Sequence, residues 1–126
     1  MRDDLCPFCS VPEHEVIVRE GSCFAIWTGE QPVGSAMVLP AEHRGAPWEL
    51  SDDEWVATRR LVRSVVQRVT ELYEPQGWNV GWNVGDVGGQ SVPHAHCHVV
   101  PRYADEPYAG RGLRWWFKHP DNNRPT

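Results

Sequence analysis

Three histidines alternate with small or apolar residues in the last third of the chain, and this alternation constrains the fold more than any other feature. Residues 94–100 are His-Ala-His-Cys-His-Val-Val. Side chains of a β-strand point alternately to opposite faces, so a strand over Ser91 to Val100 would place His94, His96 and His98 on one face. The intervening Ala, Cys and Val are small or apolar enough for a core. The pattern predicts a sheet with one histidine-bearing face and one buried face.

The second feature is a helix that begins with a capping box. Ser51 can accept a hydrogen bond from the backbone three residues later, and Glu54 can reach back to Ser51. Apolar residues then recur at steps of three and four, while the arginines lie largely off this stripe and are expected to face water. Pro75 and Gly77 predict the end of the helix. The predicted buried stripe contains Trp55, Val62, Val65, Val66, Val69 and Leu72.

Short runs of β-branched or aromatic residues predict the other strands, at Glu15–Arg19, Cys23–Thr28, Gly34–Leu39 and Trp78–Val84. With the helix between the third and fourth strands, this order predicts an α+β fold: about five strands in a mainly antiparallel sheet, with one long helix packed on a face. Residues 1–102 are predicted to form one domain. Residues 103–126, interrupted by proline and glycine, are predicted to form an irregular C-terminal extension.

Composition excludes several functional classes. The 126 residues carry 12 basic and 17 acidic side chains, a formal net charge of −5, which disfavours general nucleic-acid binding because phosphate contacts need a basic face. No apolar run approaches the roughly 18 residues of a membrane span, and no export signal opens the sequence. We therefore expect no membrane contact and a cytoplasmic location, where cysteines serve as metal ligands or free thiols rather than disulfides.

A glycine-rich segment runs directly into the three histidines. Residues 83–92 are Asn-Val-Gly-Asp-Val-Gly-Gly-Gln-Ser-Val. Glycines let backbone N–H groups approach an anion, and Asn83, Gln90 and Ser91 offer neutral donors to phosphoryl oxygens. Imidazole can bind a metal, transfer protons or attack an electrophile. The adjoining loop favours chemistry at a phosphate group.

The four cysteines divide into two groups with different expected roles. Cys6 and Cys9 stand three residues apart and supply two thiolates, which is half of a tetrahedral zinc site. A redox pair or two buried thiols would have the same spacing. Cys23 and Cys97 lie in predicted strands and are expected in the core.

The loop and the histidines together resemble the signature of the histidine triad (HIT) superfamily. The matching pattern over residues 83–99 is Asn-x-Gly-x-x-Gly-Gly-Gln-Ser-Val-x-His-x-His-x-His-Val. Members include the Hint-like and Fhit-like nucleotide-binding hydrolases and transferases. The similarity covers roughly Cys6 to Arg102, so residues 1–102 would form the HIT domain. It also implies a homodimer, in which the C-terminal extension packs on its own domain or on the partner.

The resemblance implies an enzyme that works by two-step displacement at the α-phosphorus of a nucleotide. His96, the middle histidine, would attack and carry the nucleotidyl group until water removes it. A backbone carbonyl nearby could hold one ring nitrogen, so that the other presents its lone pair. His98 would act with the loop donors to bind the phosphate and stabilise the transition state. The loop donors are Asn83, Gln90 and Ser91.

The resemblance also implies a structural zinc ion. Members that keep the Cys6 and Cys9 pair bind zinc with a histidine after the third strand and with the first motif histidine, which are His43 and His94 here. Zinc would then lock His94 and so set the position of His96. His14, close to the cysteines in sequence, is the rival fourth ligand.

Some positions depart from the family. Trp27 and Gly29 occupy the places of the acidic residue and the asparagine that usually serve ribose binding, and Trp27 could stack on a base or lie in the core. The loop resembles the Hint branch (nucleoside phosphoramidates), whereas Pro101 and Arg102 end the motif as in the Fhit branch (dinucleoside polyphosphates). Both substrate classes stay open.

Three further alternatives stay open as well. A nucleotide sensor or adaptor would bind without turnover, and a metal enzyme would use all three histidines as ligands of one ion. In the C-terminal extension, Arg114, Trp115 and Trp116 could contact the base or a polyphosphate, or could simply pack the extension onto its domain.

Overall fold

The computed structural model describes residues 3–125. Its sheet has five strands in the order β1-β2-β3-β5-β4, and every neighbouring pair is antiparallel. The helix, α1, lies between β3 and β4 in the chain. The predicted α+β fold is therefore confirmed. The elements are β1 Val16–Glu20, β2 Cys23–Trp27, β3 Ala36–Pro40, α1 Asp52–Tyr73, β4 Gly77–Trp82 and β5 Cys97–Arg102.

Helix α1 begins at the predicted capping box. The Ser51 hydroxyl accepts from the backbone N–H of Glu54 at 3.1 Å, and the Glu54 carboxylate accepts from the N–H of Ser51 at 2.7 Å. The helix ends where Glu74 adopts a left-handed conformation with φ 51°, directly before Pro75. Over residues 3–125 no helix combines the length and the apolar character needed to span a bilayer.

The buried stripe of α1 differs from the predicted one. Trp55 and Leu72 are 42% and 58% exposed, whereas Leu61 and Ala57 are buried. Ala57 lies beside the turn between β1 and β2, where a Cβ at Gly21 would be 3.9 Å from its side chain, while the Trp55 ring packs against Trp82 of β4 at a centroid distance of 5.8 Å. Val65 and Val69 are buried as predicted, but the two ends of the predicted stripe are wrong.

Both faces of the sheet carry apolar clusters. The helix covers one face, where Cys23 and Cys97 are buried in the core as predicted. The opposite face carries a second cluster, contributed by β2 and β3, against which Phe8 and Val11 of the N-terminal segment pack. The residues of that second cluster are Phe24, Ile26, Met37 and Leu39.

Strand β5 is shorter than predicted, because its ladder begins at Cys97 rather than at Ser91. Proline at 93 has no N–H to donate to a ladder, and the N–H of Ala95 donates to the carbonyl of Arg44 at 2.6 Å. The expectation of one strand carrying all three histidines is therefore wrong: only His98 lies in the strand. His98 pairs with Met37 of β3, which places it on the face opposite the helix.

The chain after β5 folds back toward β4 and β5. Its regular structure within the described part is a 3₁₀-helix at Leu113–Lys118, which contains no buried residue. A substituent at Gly112 would lie 3.7 Å from the side-chain amide of Asn79 in β4. The division into a domain over 1–102 and an extension over 103–126 stays a prediction.

Candidate active site and metal centre

Four side chains converge where the N-terminal turn meets the histidine segment. The Nδ1 atom of His94 lies 3.5 Å from the sulfurs of both Cys6 and Cys9, and Nδ1 of His43 lies 3.3 Å from Cys9 Sγ. The four ligand atoms all lie within 4.8 Å of one another. Around tetrahedral zinc, sulfur and nitrogen ligands are separated by about 3.6 Å. The cluster is therefore of a size and composition that could hold a metal ion.

The local sequence explains how the two sulfurs meet. Pro7–Cys9 forms a single 3₁₀ turn, and the N–H of Cys9 donates to the carbonyl of Cys6 at 3.1 Å. Both cysteines are buried. His14, the rival ligand, is exposed and lies outside the cluster. Burial raises the pKa of the Cys6 thiol, so a metal would have to displace a proton and would bind less well in acid.

His94 connects this Cys/His cluster to His96, the middle histidine. Its Nε2–H donates to the carbonyl of Pro40 at 2.8 Å, which leaves the lone pair of Nδ1 directed at the sulfurs. Its own carbonyl accepts from Nδ1–H of His96 at 2.7 Å. Because a carbonyl can only accept, Nδ1 of His96 carries a proton, so the lone pair of the neutral ring lies on Nε2. Both ring nitrogens of His94 are thus engaged by the protein.

The rings of His96 and His98 are neighbours, with centroids 4.8 Å apart. His96 is buried and packs edge-to-face against Phe8 at 5.1 Å. His98 is half-buried, and burial lowers its pKa; the nearby His96 lowers that pKa further, while the charge of Glu30 opposes both effects. The structure therefore favours a neutral His98 at pH 7.

The glycine-rich loop is closed by Gln90. The side-chain oxygen of Gln90 accepts from the N–H of Gly85 at 2.8 Å, and its amide nitrogen donates to the carbonyl of Gly45 at 3.1 Å. Gln90 is buried, whereas Asn83 and Ser91 are exposed. Asn83 and Ser91 are therefore free to meet a ligand, while Gln90 ties the loop to the segment after His43 and keeps one amide N–H.

Two contributors to the site were not identified from the sequence. Arg44 donates through Nε to Glu54 at 3.1 Å, a carboxylate that is only 2% exposed, while the Arg44 carbonyl accepts from Ala95. This network fixes the histidine segment to the start of α1. Phe8 contacts both His94 and His96. The sequence signal for the Arg44 network was the capping box that contains Glu54. The signal for Phe8 was its position between Cys6 and Cys9.

A cleft of about 860 Å³ opens beside His98. Strands β4 and β5 form one wall and the C-terminal segment forms the other, so that His98, Asn83 and Trp115 line a common space. Trp116 is more than half exposed and does not line the cleft. Trp27, at the end of β2, is 40% exposed, so the core position considered for it is wrong.

Comparison with known proteins identifies a family. The family described as HIT domain matches residues 12–105. The chain is 35% identical over 82 residues to the adenosine 5′-monophosphoramidase hnt1 of Schizosaccharomyces pombe, a match that covers 65% of this chain and 57% of that protein. It is 28% identical over 107 residues to the AP-4-A phosphorylase of Mycobacterium tuberculosis, covering 79% of this chain and 55% of that protein.

The fold has solved counterparts. The crystal structure of a HIT family member from Bacillus subtilis superposes with a TM-score of 0.73 at 27% identity, covering 81% of this chain and 76% of that one. The chain spans little more than half the length of the two named enzymes. Their names support, at the level of the family, the expectation of an enzyme acting on nucleotides.

Proposed function

The chain belongs to the HIT domain family, and on that premise we propose that it is a nucleotide hydrolase or nucleotidyltransferase that forms a covalent nucleotidyl-histidine. One observation carries the proposal: Nδ1–H of His96 is bonded to the His94 carbonyl at 2.7 Å. This bond leaves Nε2 of His96 available as a nucleophile, in a ring that neighbours His98, which lines the cleft together with Asn83.

The reaction has two displacements. In the first, the Nε2 lone pair of His96 attacks the α-phosphorus; the new P–N bond forms as the bond to the leaving group breaks, and the electron pair departs with that group. His98, Asn83 and Ser91 donate hydrogen bonds to the phosphoryl oxygens, helped by the remaining amide N–H of Gln90. In the second, water or another acceptor attacks phosphorus and the P–N bond to His96 breaks. The proton that the acceptor loses passes to bulk water, which also supplies the proton that an amine leaving group takes up in the first displacement.

We assign structural zinc to the cluster of Cys6, Cys9, His43 and His94. Two thiolates and two imidazoles are a donor set that zinc prefers, and the S···N separations of 3.3 and 3.5 Å fit it. When bound, zinc holds the four side chains together and contributes folding energy. The surrounding protein buries His94 and orients its ring through the hydrogen bond from Nε2–H to the Pro40 carbonyl.

The relatives point to two substrate classes. A nucleoside phosphoramidate is suggested by the relative named as a monophosphoramidase, and a dinucleoside polyphosphate by the relative named as an AP-4-A phosphorylase. A three-histidine metal enzyme is disfavoured because His94 is turned toward the cysteines. Homodimerisation and a cytoplasmic location stay predictions from the resemblance and from the sequence.

The decisive experiment traps the intermediate. The protein is mixed with adenosine 5′-phosphoramidate, quenched without acid, and digested for mass spectrometry. We expect an adenylyl group on the peptide that contains His96, and His96→Ala should lose both this adduct and several orders of magnitude in turnover while keeping the fold. The exposed His14→Ala serves as the matched control and should behave as wild type.

Two results would contradict the proposal. Undiminished turnover in His96→Ala would exclude His96 as the nucleophile. Nucleotide binding by the wild type without adduct or turnover, measured by equilibrium dialysis, would instead favour the sensor or adaptor hypothesis.

A further inference from the structure

The two walls of the cleft beside His98 differ in charge. The sheet wall is neutral and includes Asn79 and Val100, whereas the C-terminal wall contributes Arg114 and Lys118 on either side of Trp115. No Asp or Glu is among the residues that line the cleft. Within residues 3–125, neither cation takes part in an ion pair. The cleft therefore presents two uncompensated positive charges.

This positive charge runs against the balance of the whole chain, whose net charge is −5. A local concentration of one sign in a concave site raises the concentration of ligands of the opposite sign. His98 and Asn83 line the same cleft and are proposed to bind the α-phosphate. Anionic groups attached beyond that phosphate would then lie within the cleft and face the cations.

The C-terminal segment is organised to present these cations. The Arg111 guanidinium lies 4.3 Å from the ring centre of Tyr108 and 5.0 Å from that of Trp115. Trp115 also packs against His119 at 4.8 Å. Arg111 does not line the cleft, whereas Arg114 and Lys118 do, so these two are the cations of the segment that can meet a ligand there.

We propose that Arg114 and Lys118 bind the phosphate groups of the leaving group, and so make this chain selective for substrates with an anionic leaving group over those with a neutral one. The inference rests on the proposed function, because it concerns what His96 displaces. It makes the C-terminal segment a specificity determinant and leaves the chemistry at the α-phosphorus to the histidines and the loop.

The test compares two substrates that share the same nucleoside and α-phosphate. Diadenosine tetraphosphate would lose a nucleoside triphosphate, whereas adenosine 5′-phosphoramidate would lose ammonia. In the double variant Arg114→Gln/Lys118→Gln, kcat/KM for the tetraphosphate should fall about 100-fold, since each charge-assisted hydrogen bond is worth about tenfold. The value for the phosphoramidate should stay within about twofold of wild type.

A matched control removes the same charge elsewhere. Arg63→Gln/Arg124→Gln replaces two exposed arginines, on α1 and in the C-terminal segment, that do not line the cleft. Both substrates should react with this variant as with wild type. The wild-type rate on the tetraphosphate should also fall more steeply with added salt than the rate on the phosphoramidate.

Each contrary outcome is distinguishable. Equal losses on both substrates in the cleft variant, or an equal loss in the control variant, would overturn the inference and leave the proposed function standing. If the wild type turned over the phosphoramidate but not the tetraphosphate, the inference would likewise be overturned and the proposed function would stand. Turnover of neither substrate would overturn the proposed function and this inference with it.

Discussion

The N-terminal turn packs on β2 and β3, and the C-terminal segment lines the cleft over β4 and β5, but different interactions hold these two regions. The turn is buried through Cys6 and Cys9, and it contacts His94 and His96 through Phe8. The C-terminal segment, in contrast, has no buried residue in its 3₁₀-helix and is organised by stacked rings and cations.

Under the proposed function, this difference separates the region that carries the chemistry from the region that selects the substrate. A nucleophile must be held to within a fraction of an ångström, which requires packed and hydrogen-bonded surroundings. Contacts to a flexible leaving group tolerate a more exposed wall. The buried side should therefore govern stability and the ability to react, and the exposed side should govern which substrate reacts.

The largest expected effect comes from the buried side. Cys6→Ser should lose bound metal and lower the melting temperature by about 10 °C, because a structural metal site contributes directly to folding and about 3 kcal/mol corresponds to such a shift in a domain of this size. Metal content by plasma mass spectrometry and calorimetry would measure both. The exposed Ser10→Ala is the control, and an unchanged melting temperature in Cys6→Ser would contradict a structural metal.

An intermediate effect is expected at His98, between the two regions. Its folded pKa lies below the ordinary value of 6.5 because the ring is half-buried and next to His96. As pH falls below 6.5, the unfolded chain takes up a proton that the folded chain resists, so His98 stabilises the fold above this pH and the stabilisation is lost in acid. Urea unfolding measured from pH 7.5 to 5 should show that the free energy of unfolding falls less steeply with decreasing pH in His98→Gln than in wild type. The same pH dependence in both proteins would contradict a lowered pKa of His98 in the folded state.

The smallest effect on stability is expected in the C-terminal segment. Trp115→Ala removes ring contacts that lie within the segment itself, and exposed cation–π contacts are worth about 0.5–1 kcal/mol. The melting temperature should therefore shift by no more than about 3 °C, whereas Phe8→Ala should cost clearly more because Phe8 packs on the second apolar cluster. Equal shifts in these two variants would remove the distinction between the regions.

Local signals predicted local structure well. The capping box of Ser51 and Glu54 depends on residues three apart, and the structure reproduces it. The Cys/His cluster was different: the spacing of Cys6 and Cys9 indicates half of a tetrahedral zinc site, but the pairing with His43 and His94 came from the family resemblance. No sequence pattern short of that resemblance brings these two histidines together.

Tertiary contacts explain what the sequence could not predict. Strand β5 begins later than the alternation suggests, since the N–H of Ala95 is taken by Arg44 from a distant loop. The buried stripe of α1 runs through Ala57 and Leu61 because these positions share with Val65 and Val69 the helix face that packs on the sheet. Gln90 resembled a ligand donor, yet the fold also uses it to close its own loop.

His94 serves its two neighbours through different parts of one residue: the ring faces the sulfurs, and the main-chain oxygen holds His96. Every amino acid has that oxygen, but only histidine offers this ring. An engineer could therefore replace the whole four-residue cluster with apolar side chains of matching volume and still retain the acceptor that orients the His96 imidazole. Such a scaffold would need none of the zinc that we propose for the cluster.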